Sequence, residues 1–221
     1  MLASIRRALL LRVFHLLYHQ FAWAYDIVSA AVSLGRWQAW GRASLPFVTG
    51  PRVLELGHGP GHLLAALADR GDQPVGIDIS PQMGRMARRR LRREGVLALL
   101  VQGRGQELPF AESTFDGIVA VFPAPYIVTA DTAGAVWRVL KAGGKLVIVP
   151  EAMLTGPGLA ARAIEWLYRI TGQRTDPPAR DSDPPGWWSR ALVERGFHLA
   201  VYHVPQFGSK VTVIVANRPA D

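Results

Sequence analysis

The chain has 221 residues, of which 49% are hydrophobic, and its formal net charge is +8. This length fits one α/β domain with additions, and the apolar content is enough for a sizeable core. The sequence has no apolar run of about 18 residues, so a membrane-spanning helix is not predicted. Cysteine is absent, which excludes disulfides, thiolate nucleophiles and thiolate metal sites, and agrees with a reducing, cytoplasmic location.

Residues 1–45 are predicted to be helical, with a break near Gly35. Early arginines and an apolar stretch give the first 24 residues the look of a signal peptide, but Arg12 and His15 interrupt the apolar part and argue against one. Two interpretations stay open. The segment is a helical lid over the domain, or residues 1–20 form a basic, apolar helix that lies on the inner face of a membrane.

Strands and helices alternate after residue 46, which predicts an α/β fold with a doubly wound, mostly parallel, seven-stranded, Rossmann-like sheet. The predicted elements up to residue 150 are strands at 52–56, 74–78, 97–102, 115–122 and 145–150, and helices at 60–70, 81–94 and 132–140. The last of these helices is expected to end at Gly143-Gly144. Ser80 is the expected N-cap of the helix at 81–94.

The first strand runs into a glycine-rich turn, Glu55-Leu-Gly-His-Gly-Pro-Gly61. Glycines let the backbone turn and approach a ligand, and the free N–H groups of the following helix point at that ligand. Their spacing at every second position differs from the dinucleotide fingerprint, and the Walker lysine is absent. Asp78 ends the next strand, where an acid can accept hydrogen bonds from ribose hydroxyls. The pattern indicates a nucleoside-type cofactor site.

Arginines crowd the helix predicted at 81–94. They are Arg85, Arg88, Arg89, Arg90, Arg92 and Arg93. The first interpretation is a solvated outer helix, and the alternative is a patch that binds phosphate or lipid headgroups. Aromatic residues do not alternate with these arginines, so single-stranded nucleic acid is not the expected partner.

The C-terminal third differs from the regular core. A helical and loop insertion is expected at about 155–190, with a helix at 159–170 and a loop rich in Pro and Asp at 175–186. A helix at 187–194 and an antiparallel hairpin with strands at 197–204 and 210–216 complete the chain. The predicted domains are therefore the helical lid at 1–45 and the α/β domain at 46–221.

The order of motifs is more specific than any one of them. The turn at 55–61 is followed by Gly-Ile-Asp-Ile-Ser-Pro-Gln-Met at 76–83, and then by characteristic segments at 101–110, 113–119 and 137–146. Over residues 50–150 this series closely resembles the class I S-adenosylmethionine-dependent methyltransferases. It is most similar to the branch that contains quinone, phospholipid and small-molecule methyltransferases. The resemblance implies a methyltransferase domain at 46–221 with S-adenosylmethionine as its cofactor.

The resemblance also implies which residues hold that cofactor. Glu55 would hold the amino group of the methionine part, Asp78 would bind the ribose hydroxyls, and Phe122 would face the methyl group. The remaining residues would line the methionine part or surround the adenine. The predicted cofactor-binding residues are Glu55, Gly57, His58, Gly59, Gly61, Asp78, Ile79, Met83, Gly103, Arg104, Gly105, Gln106 and Phe122.

One pair of residues departs from the family pattern, and one pair of histidines has to be considered as a metal site. Many relatives carry Asp-Ala where this chain has Arg104-Gly105. Arginine cannot accept a hydrogen bond from the adenine amino group, so a backbone group or Gln106 must do so. His58 and His62 lack carboxylate companions, and no metal site is predicted.

The sequence indicates the methyl acceptor less clearly than it indicates the cofactor. No catalytic base is evident, so no catalytic residue is predicted. The segment from Phe122 to Tyr126, Phe-Pro-Ala-Pro-Tyr, lacks the leading Asn or Asp of enzymes that methylate nucleic-acid amines. The apolar segments and the positive charge favour a small, hydrophobic or lipid-like acceptor. The alternatives are methylation of RNA or protein, and cofactor binding without catalysis. The predicted acceptor-site residues are Tyr25, Tyr126, Glu151, Trp187 and Trp188.

Overall fold

The computed structural model describes residues 30, 33–123, 125–155, 158 and 186–220. The helices are α1 (Trp37–Arg42), α2 (His62–Asp69), α3 (Pro81–Arg93), α4 (Ala130–Val139) and α5 (Gly186–Arg195). The strands are β1 (Arg52–Leu56), β2 (Gln73–Asp78), β3 (Leu99–Gln102), β4 (Phe115–Val121), β5 (Leu140–Val149), β6 (Ala152–Leu154), β7 (His198–Gln206) and β8 (Ser209–Asn217).

These strands form one sheet in the order β3-β2-β1-β4-β5-β8-β6, and β7 pairs with β8. The first five strands pair in parallel, whereas β5, β6 and β7 all pair with β8 in antiparallel fashion. On β1, Glu55 lies between Gly76 of β2 and Val119 of β4. The predicted doubly wound parallel sheet and its antiparallel C-terminal hairpin are therefore confirmed.

Helices cover both faces of the sheet. One apolar cluster packs strand residues such as Leu54 and Ile118 against α4 and α5. The other packs their neighbours Val53 and Val119 against α1 and α2. Successive strand residues point to opposite faces, so adjacent residues join different clusters. This explains why β1 and β4 are apolar almost throughout, as expected for parallel strands that are buried on both faces.

Two helix boundaries predicted from the sequence can be compared directly with the structure. Ser80 caps α3 as predicted, because its Oγ accepts a hydrogen bond from the N–H of Met83 at 3.3 Å. The predicted end of a helix at Gly143-Gly144 is wrong. Helix α4 ends at Val139, and both glycines lie within β5, which begins at the next residue. The backbone of Gly143 instead turns with φ 74° and bonds to the carbonyl of Arg218.

The three-residue strand β6 is an eighth strand beyond the seven predicted. It pairs with β8 just after β5 has left it, so the segment of Pro150 and Glu151 forms a step between two strands on the same neighbour. Gly35 lies in a turn before α1 with φ 77°, where a helix break was predicted. The helix predicted at 159–170 lies outside the described residues. Within the described residues, no helix is long and apolar enough to cross a membrane.

Candidate active site

The candidate site lies at the carboxyl ends of β1, β2 and β4. The strand order reverses between β1 and β4, so the connections after these two strands run to opposite faces of the sheet. Such a reversal leaves a crevice outside the strand ends, and ligands of open α/β sheets bind there. Most of the predicted cofactor residues belong to the loops that border this crevice.

The turn after β1 is left-handed at three glycines. The φ angles are 72° at Gly57, 51° at Gly59 and 84° at Gly61, and Gly61 is the N-cap of α2. A Cβ added at Gly61 would lie 3.0 Å from the Cβ of Ala87 in α3, whereas a Cβ at Gly59 would meet nothing within 4 Å. Gly61 therefore serves both the backbone conformation and the close approach of two helices, while Gly59 serves the conformation.

Asp78 fixes this turn from the end of β2. It is buried, and its two carboxylate oxygens accept hydrogen bonds from the N–H of Gly59 at 2.9 Å and of Ser80 at 2.8 Å. A carboxylate has about four acceptor positions, so two remain for a ligand. Asp78 can therefore hold the glycine turn and bind ribose hydroxyls at the same time.

Glu55 is the second buried acid of the site, with 4% of its surface exposed. Burial raises the pKa of Glu55 well above its usual range, and the charge of Asp78 raises it further, against a hydrogen bond from the backbone of Leu64. Its Oε2 has no hydrogen-bond partner among the described residues. A buried acceptor without a partner is costly, and an ammonium group would satisfy it. The site therefore fits the amino group of an amino-acid ligand.

His58 is part of the turn. Its Nδ1 lies 2.7 Å from the carbonyl oxygen of Gly59, which can only accept, so Nδ1 carries the proton. The ring fills the space over Gly76, where a Cβ would lie 2.8 Å from its Cδ2. Burial lowers the pKa of His58, although the charge of Asp78 opposes this, and the ring is neutral at pH 7. Its role is to pack the turn against β2.

The predicted adenine side is formed by the residues after β2 and β3. Ile79 is half-exposed, so a ring could stack on it, whereas Met83 is fully buried. Gly103 donates its N–H to the carbonyl of Asp78 at 3.0 Å. Arg104 is exposed and Gln106 is partly buried. These positions bring the loop after β3 against the end of β2.

Tyr126 lies closer to the predicted cofactor loops than its assignment to the acceptor implied. A Cβ at Gly105 would lie 2.7 Å from Cε2 of its ring, and a Cβ at Gly57 would lie 3.4 Å from its hydroxyl oxygen. The ring therefore spans the gap between the loops after β1 and β3. It is in the right place to contact a cofactor as well as an acceptor.

Phe122 follows β4 with φ 47°, which is unusual for a bulky residue. Its ring lies 4.3 Å from that of Trp37 and 6.1 Å from that of Trp40, both on α1. We call these three side chains the aromatic wall. Backbone strain of this kind persists where surrounding structure enforces it, and it concentrates at functional sites. Sequence reasoning identified Phe122 but missed the two tryptophans, whose signal was their spacing of three residues on a predicted helix.

A cavity of about 60 Å³ separates α1 from the glycine turn. Trp37, Gln38 and Arg42 line it from α1, and Glu55 and His62 line it from the opposite side. Gln38 and Arg42 were also missed from sequence, because nothing in the pattern related α1 to the turn. The cavity combines an apolar wall with a cation and an amide at its border.

The other predicted acceptor residues are less well defined. Glu151 is partly buried in the step between β5 and β6, where its carbonyl accepts a hydrogen bond from the N–H of Thr212 at 3.1 Å. Trp187 and Trp188 lie in the first turn of α5. Tyr25 lies outside the described residues. Within the described residues, no group of three or more histidine or acidic side chains could hold a metal ion.

This chain is similar to known methyltransferases in sequence. The family described as a methyltransferase domain matches residues 53–144. Demethylmenaquinone methyltransferase of Thermus thermophilus is 29% identical over 73% of this chain and 74% of its own length. The ubiquinone/menaquinone biosynthesis C-methyltransferase UbiE of Edwardsiella ictaluri is 33% identical over 69% of this chain and 66% of its own length. The chain spans only 56% of the length of UbiE from Shewanella frigidimarina.

Among solved structures, the geranyl diphosphate C-methyltransferase of Streptomyces coelicolor, determined with Mg²⁺, geranyl diphosphate and S-adenosyl-L-homocysteine, aligns with a TM-score of 0.58. It is 13% identical over 82% of this chain and 78% of that chain, so the likeness concerns the fold alone.

The strand order, the left-handed glycine turn and the two buried acids define an α/β enzyme that binds a nucleoside cofactor carrying an amino-acid group. The chain belongs to the class I S-adenosylmethionine-dependent methyltransferases, and its cofactor is S-adenosylmethionine. The sequence-based predictions of family, fold and cofactor are confirmed.

Proposed function

We propose that the chain transfers a methyl group from S-adenosylmethionine to a small, hydrophobic, lipid-like acceptor, and that this acceptor is a quinone precursor. Two observations support the acceptor class. Curated relatives are named as quinone methyltransferases. Trp37 also lines the cavity beside the glycine turn, with its ring 4.3 Å from that of Phe122 and packed against the buried Trp40, and a flat ring can stack on such aromatic surface.

In this proposal, binding of the cofactor depends chiefly on Glu55. Its open Oε2 would accept from the cofactor amino group, and the free acceptor positions of Asp78 would take the ribose hydroxyls. Ile79, the loop of Gly103 to Gln106 and Tyr126 would surround the adenine.

When bound, the cofactor supplies a methyl group on a sulfonium, which a nucleophile takes by direct displacement with the thioether leaving. The chain's part is to align the acceptor and exclude water. A ring carbon beside an ionised hydroxyl is already nucleophilic, so it needs no strong base in the protein. We assign Arg42 to hold the negative oxygen of such an acceptor, because it lines the cavity next to the aromatic wall. The proton lost from the methylated carbon passes to solvent.

The roles of the chain ends remain predictions. We propose a helical lid at 1–45 and a methyltransferase domain at 46–221, with an insertion at about 155–190. Peripheral contact of residues 1–20 with the inner membrane face and a cytoplasmic location belong to the same proposal. Tyr25, Glu151, Trp187 and Trp188 remain predicted acceptor contacts.

The first test is titration calorimetry with S-adenosylmethionine and S-adenosylhomocysteine. Asp78→Ala should weaken binding by on the order of a hundredfold, because hydrogen bonds to a charged group contribute about 1.5–3 kcal/mol each. Asp131→Ala, which removes an exposed acid at the start of α4, is the control and should change affinity less than about twofold. Failure of both ligands to bind, or unchanged binding by Asp78→Ala, would exclude the cofactor assignment.

The second test follows a labelled methyl group from the cofactor into demethylated quinones kept in their reduced, hydroquinone form, into RNA and into protein. Transfer to the quinone, with less transfer by Trp37→Ala, supports the proposal. Labelling of RNA or protein alone would instead support the alternative methyltransferase function. Tight cofactor binding without transfer to any of the three would indicate a non-catalytic cofactor-binding domain.

A further inference from the structure

Helix α3 carries a continuous face of exposed arginines. Its buried stripe is Met83, Ala87 and Leu91, spaced four residues apart. The opposite face exposes Arg85, Arg88, Arg89, Arg92 and Arg93. Among the described residues, no acidic side chain forms an ion pair with any of these five. We call this surface the arginine face.

The arginine face holds most of the chain's charge excess. Without its five arginines and the neighbouring Arg90, the formal net charge would fall from +8 to +2. Arg90 differs from the others, because its guanidinium donates to the carbonyl of Pro60 and supports the glycine turn. The five exposed arginines have no comparable task inside the part of the chain that the structure describes.

Exposed leucines lie at the same edge of the sheet. Strand β3 ends the sheet, and Leu99 in it is 56% exposed. Leu97, four residues after Arg93, is 94% exposed. Ala98 and Leu100 pack against the cluster that contains Leu91 of α3, so Leu99, at the alternate position, points to the other face of this edge strand. The edge therefore combines cationic and apolar surface.

We infer that the arginine face, together with Leu97 and Leu99, docks this protein on an anionic phospholipid bilayer. Guanidinium groups pair with lipid phosphates, and leucines enter the boundary between headgroups and acyl chains. Single-stranded nucleic acid fits less well, because aromatic residues for base stacking do not lie between the arginines. The inference does not depend on the acceptor of the proposed reaction, since the bilayer alone is the ligand.

The test is sedimentation of the full chain with vesicles of phosphatidylcholine, with and without about one third phosphatidylglycerol. Each arginine removed should weaken partition into anionic vesicles about fivefold, which corresponds to about 1 kcal/mol. Arg88→Gln with Arg92→Gln should therefore lower it about twenty-five-fold. The matched control is Arg190→Gln with Arg195→Gln on α5, which removes the same charge from another exposed surface and should change partition less than about threefold.

The leucines give a second, independent readout. Leu97→Ser should weaken partition several-fold and should still do so in about 1 M salt, where the Debye length is about 3 Å and charge effects are screened. The effect of the arginine variant should largely vanish there. Val193→Ser, which changes an exposed apolar residue of α5, is the control and should leave partition unchanged. Circular dichroism and melting curves of every variant exclude misfolding as the cause.

Three outcomes would overturn the inference. One is equal loss of partition by the α3 and α5 arginine pairs, which would indicate a general effect of net charge. Another is tight binding to vesicles that is weakened neither by the α3 arginine pair of substitutions nor by Leu97→Ser, which would place the contact elsewhere in the chain. The third is binding of a single-stranded RNA homopolymer without binding of anionic vesicles. None of these measurements uses a methyl acceptor, so their failure is separate from failure of the proposed reaction.

Discussion

The two sides of the crevice serve the site in different ways. At the ends of β1 and β2, function depends on backbone conformation and two buried acids, Glu55 and Asp78. On the other side of the crevice, α1 and the residue after β4 contribute ring surface from Trp37 and Phe122. The first region requires particular residues at particular positions, whereas the second requires a suitable shape and apolar area.

This contrast locates the specificity for each of the two ligands. A cofactor with fixed charges requires particular polar atoms at particular places, so few substitutions can be accepted at the ends of β1 and β2. A hydrophobic acceptor requires area and exclusion of water, which many side chains can supply. We therefore expect variants on the two sides to separate cofactor binding from acceptor recognition.

The largest expected effect is on stability, in the cofactor region. Gly61→Ala must adopt φ 84° and bring a methyl group within 3.0 Å of Ala87. Left-handed backbone and overpacking each cost about 1–2 kcal/mol, so the free energy of unfolding should fall by about 3 kcal/mol. Gly59→Ala is the matched control, with space for its Cβ, and should lose about 1 kcal/mol. Urea unfolding measures both. Equal losses would mean that helix approach at Gly61 is unimportant.

The next effect is on cofactor affinity and its pH dependence. In the free protein the pKa of Glu55 is raised, and the amino group of the cofactor should lower it again by favouring the carboxylate. At a pH below the raised pKa, binding should therefore release a proton, and affinity should rise as pH increases from the usual carboxyl range towards the raised pKa. Glu55→Gln should bind about tenfold or more weakly and release no proton.

Calorimetry in two buffers of different ionisation enthalpy measures that proton. Glu94→Gln, at the exposed end of α3, is the control and should behave as the unmodified chain. The same raised pKa affects folding. The native state holds the Glu55 proton more tightly than the unfolded chain does, so its contribution to stability is complete below the usual carboxyl pKa and is lost as pH rises through the raised one. A pH-independent affinity in the unmodified chain would contradict this account.

A smaller effect should be confined to the acceptor side. Phe122→Ala removes one ring of the aromatic wall and should raise the KM for the acceptor by about tenfold, or about 1.4 kcal/mol, within the range for lost aromatic packing. The Kd of S-adenosylmethionine should change much less. The control is Phe47→Ala, whose ring packs 4.7 Å from Tyr202 away from the crevice. A Phe122 variant that weakens the cofactor as much as the acceptor would remove the separation between the two regions.

The smallest effect concerns the amino ends of β1 and β4, away from the crevice, and should leave both ligands unaffected. Asp116 accepts hydrogen bonds from Lys141 at 2.7 Å and from the N–H of Arg52 at 2.9 Å. Burial opposes the shift, but these bonds and the lysine charge lower the pKa of Asp116. Lys141→Ala should cost below about 1 kcal/mol, because the pair is partly exposed.

The pH dependence of this pair has the opposite sign to that of Glu55. Because the folded pKa of Asp116 is lowered, its contribution is present above the usual carboxyl pKa and is lost as pH falls through the lowered one. Melting curves at several pH values check both statements. A loss of stability that is larger at acid pH than at neutral pH would contradict them.

The cofactor region was predictable because its requirements are local. Left-handed glycines, an N-cap serine and an acid at a strand end each leave a signature within a few residues, as at Gly61, Ser80 and Asp78. Trp37 and Arg42 could not be assigned, because their role depends on how α1 packs against a turn far along the chain. The end of α4 was misread for a similar reason. Gly143 is a bend inside β5, imposed by pairing with residues near Arg218.

Tyr126 and Gly105 show how two positions can become dependent on each other during evolution. The tyrosine ring occupies the place that a methyl group at residue 105 would need. A relative with alanine at the position of Gly105 would therefore need a residue at the position of Tyr126 that is smaller or turned away. Gly105→Ala should be harmful alone and tolerated together with Tyr126→Ala. Among relatives, the two positions should therefore vary together, with the larger residue alternating between the loop after β3 and the segment after β4.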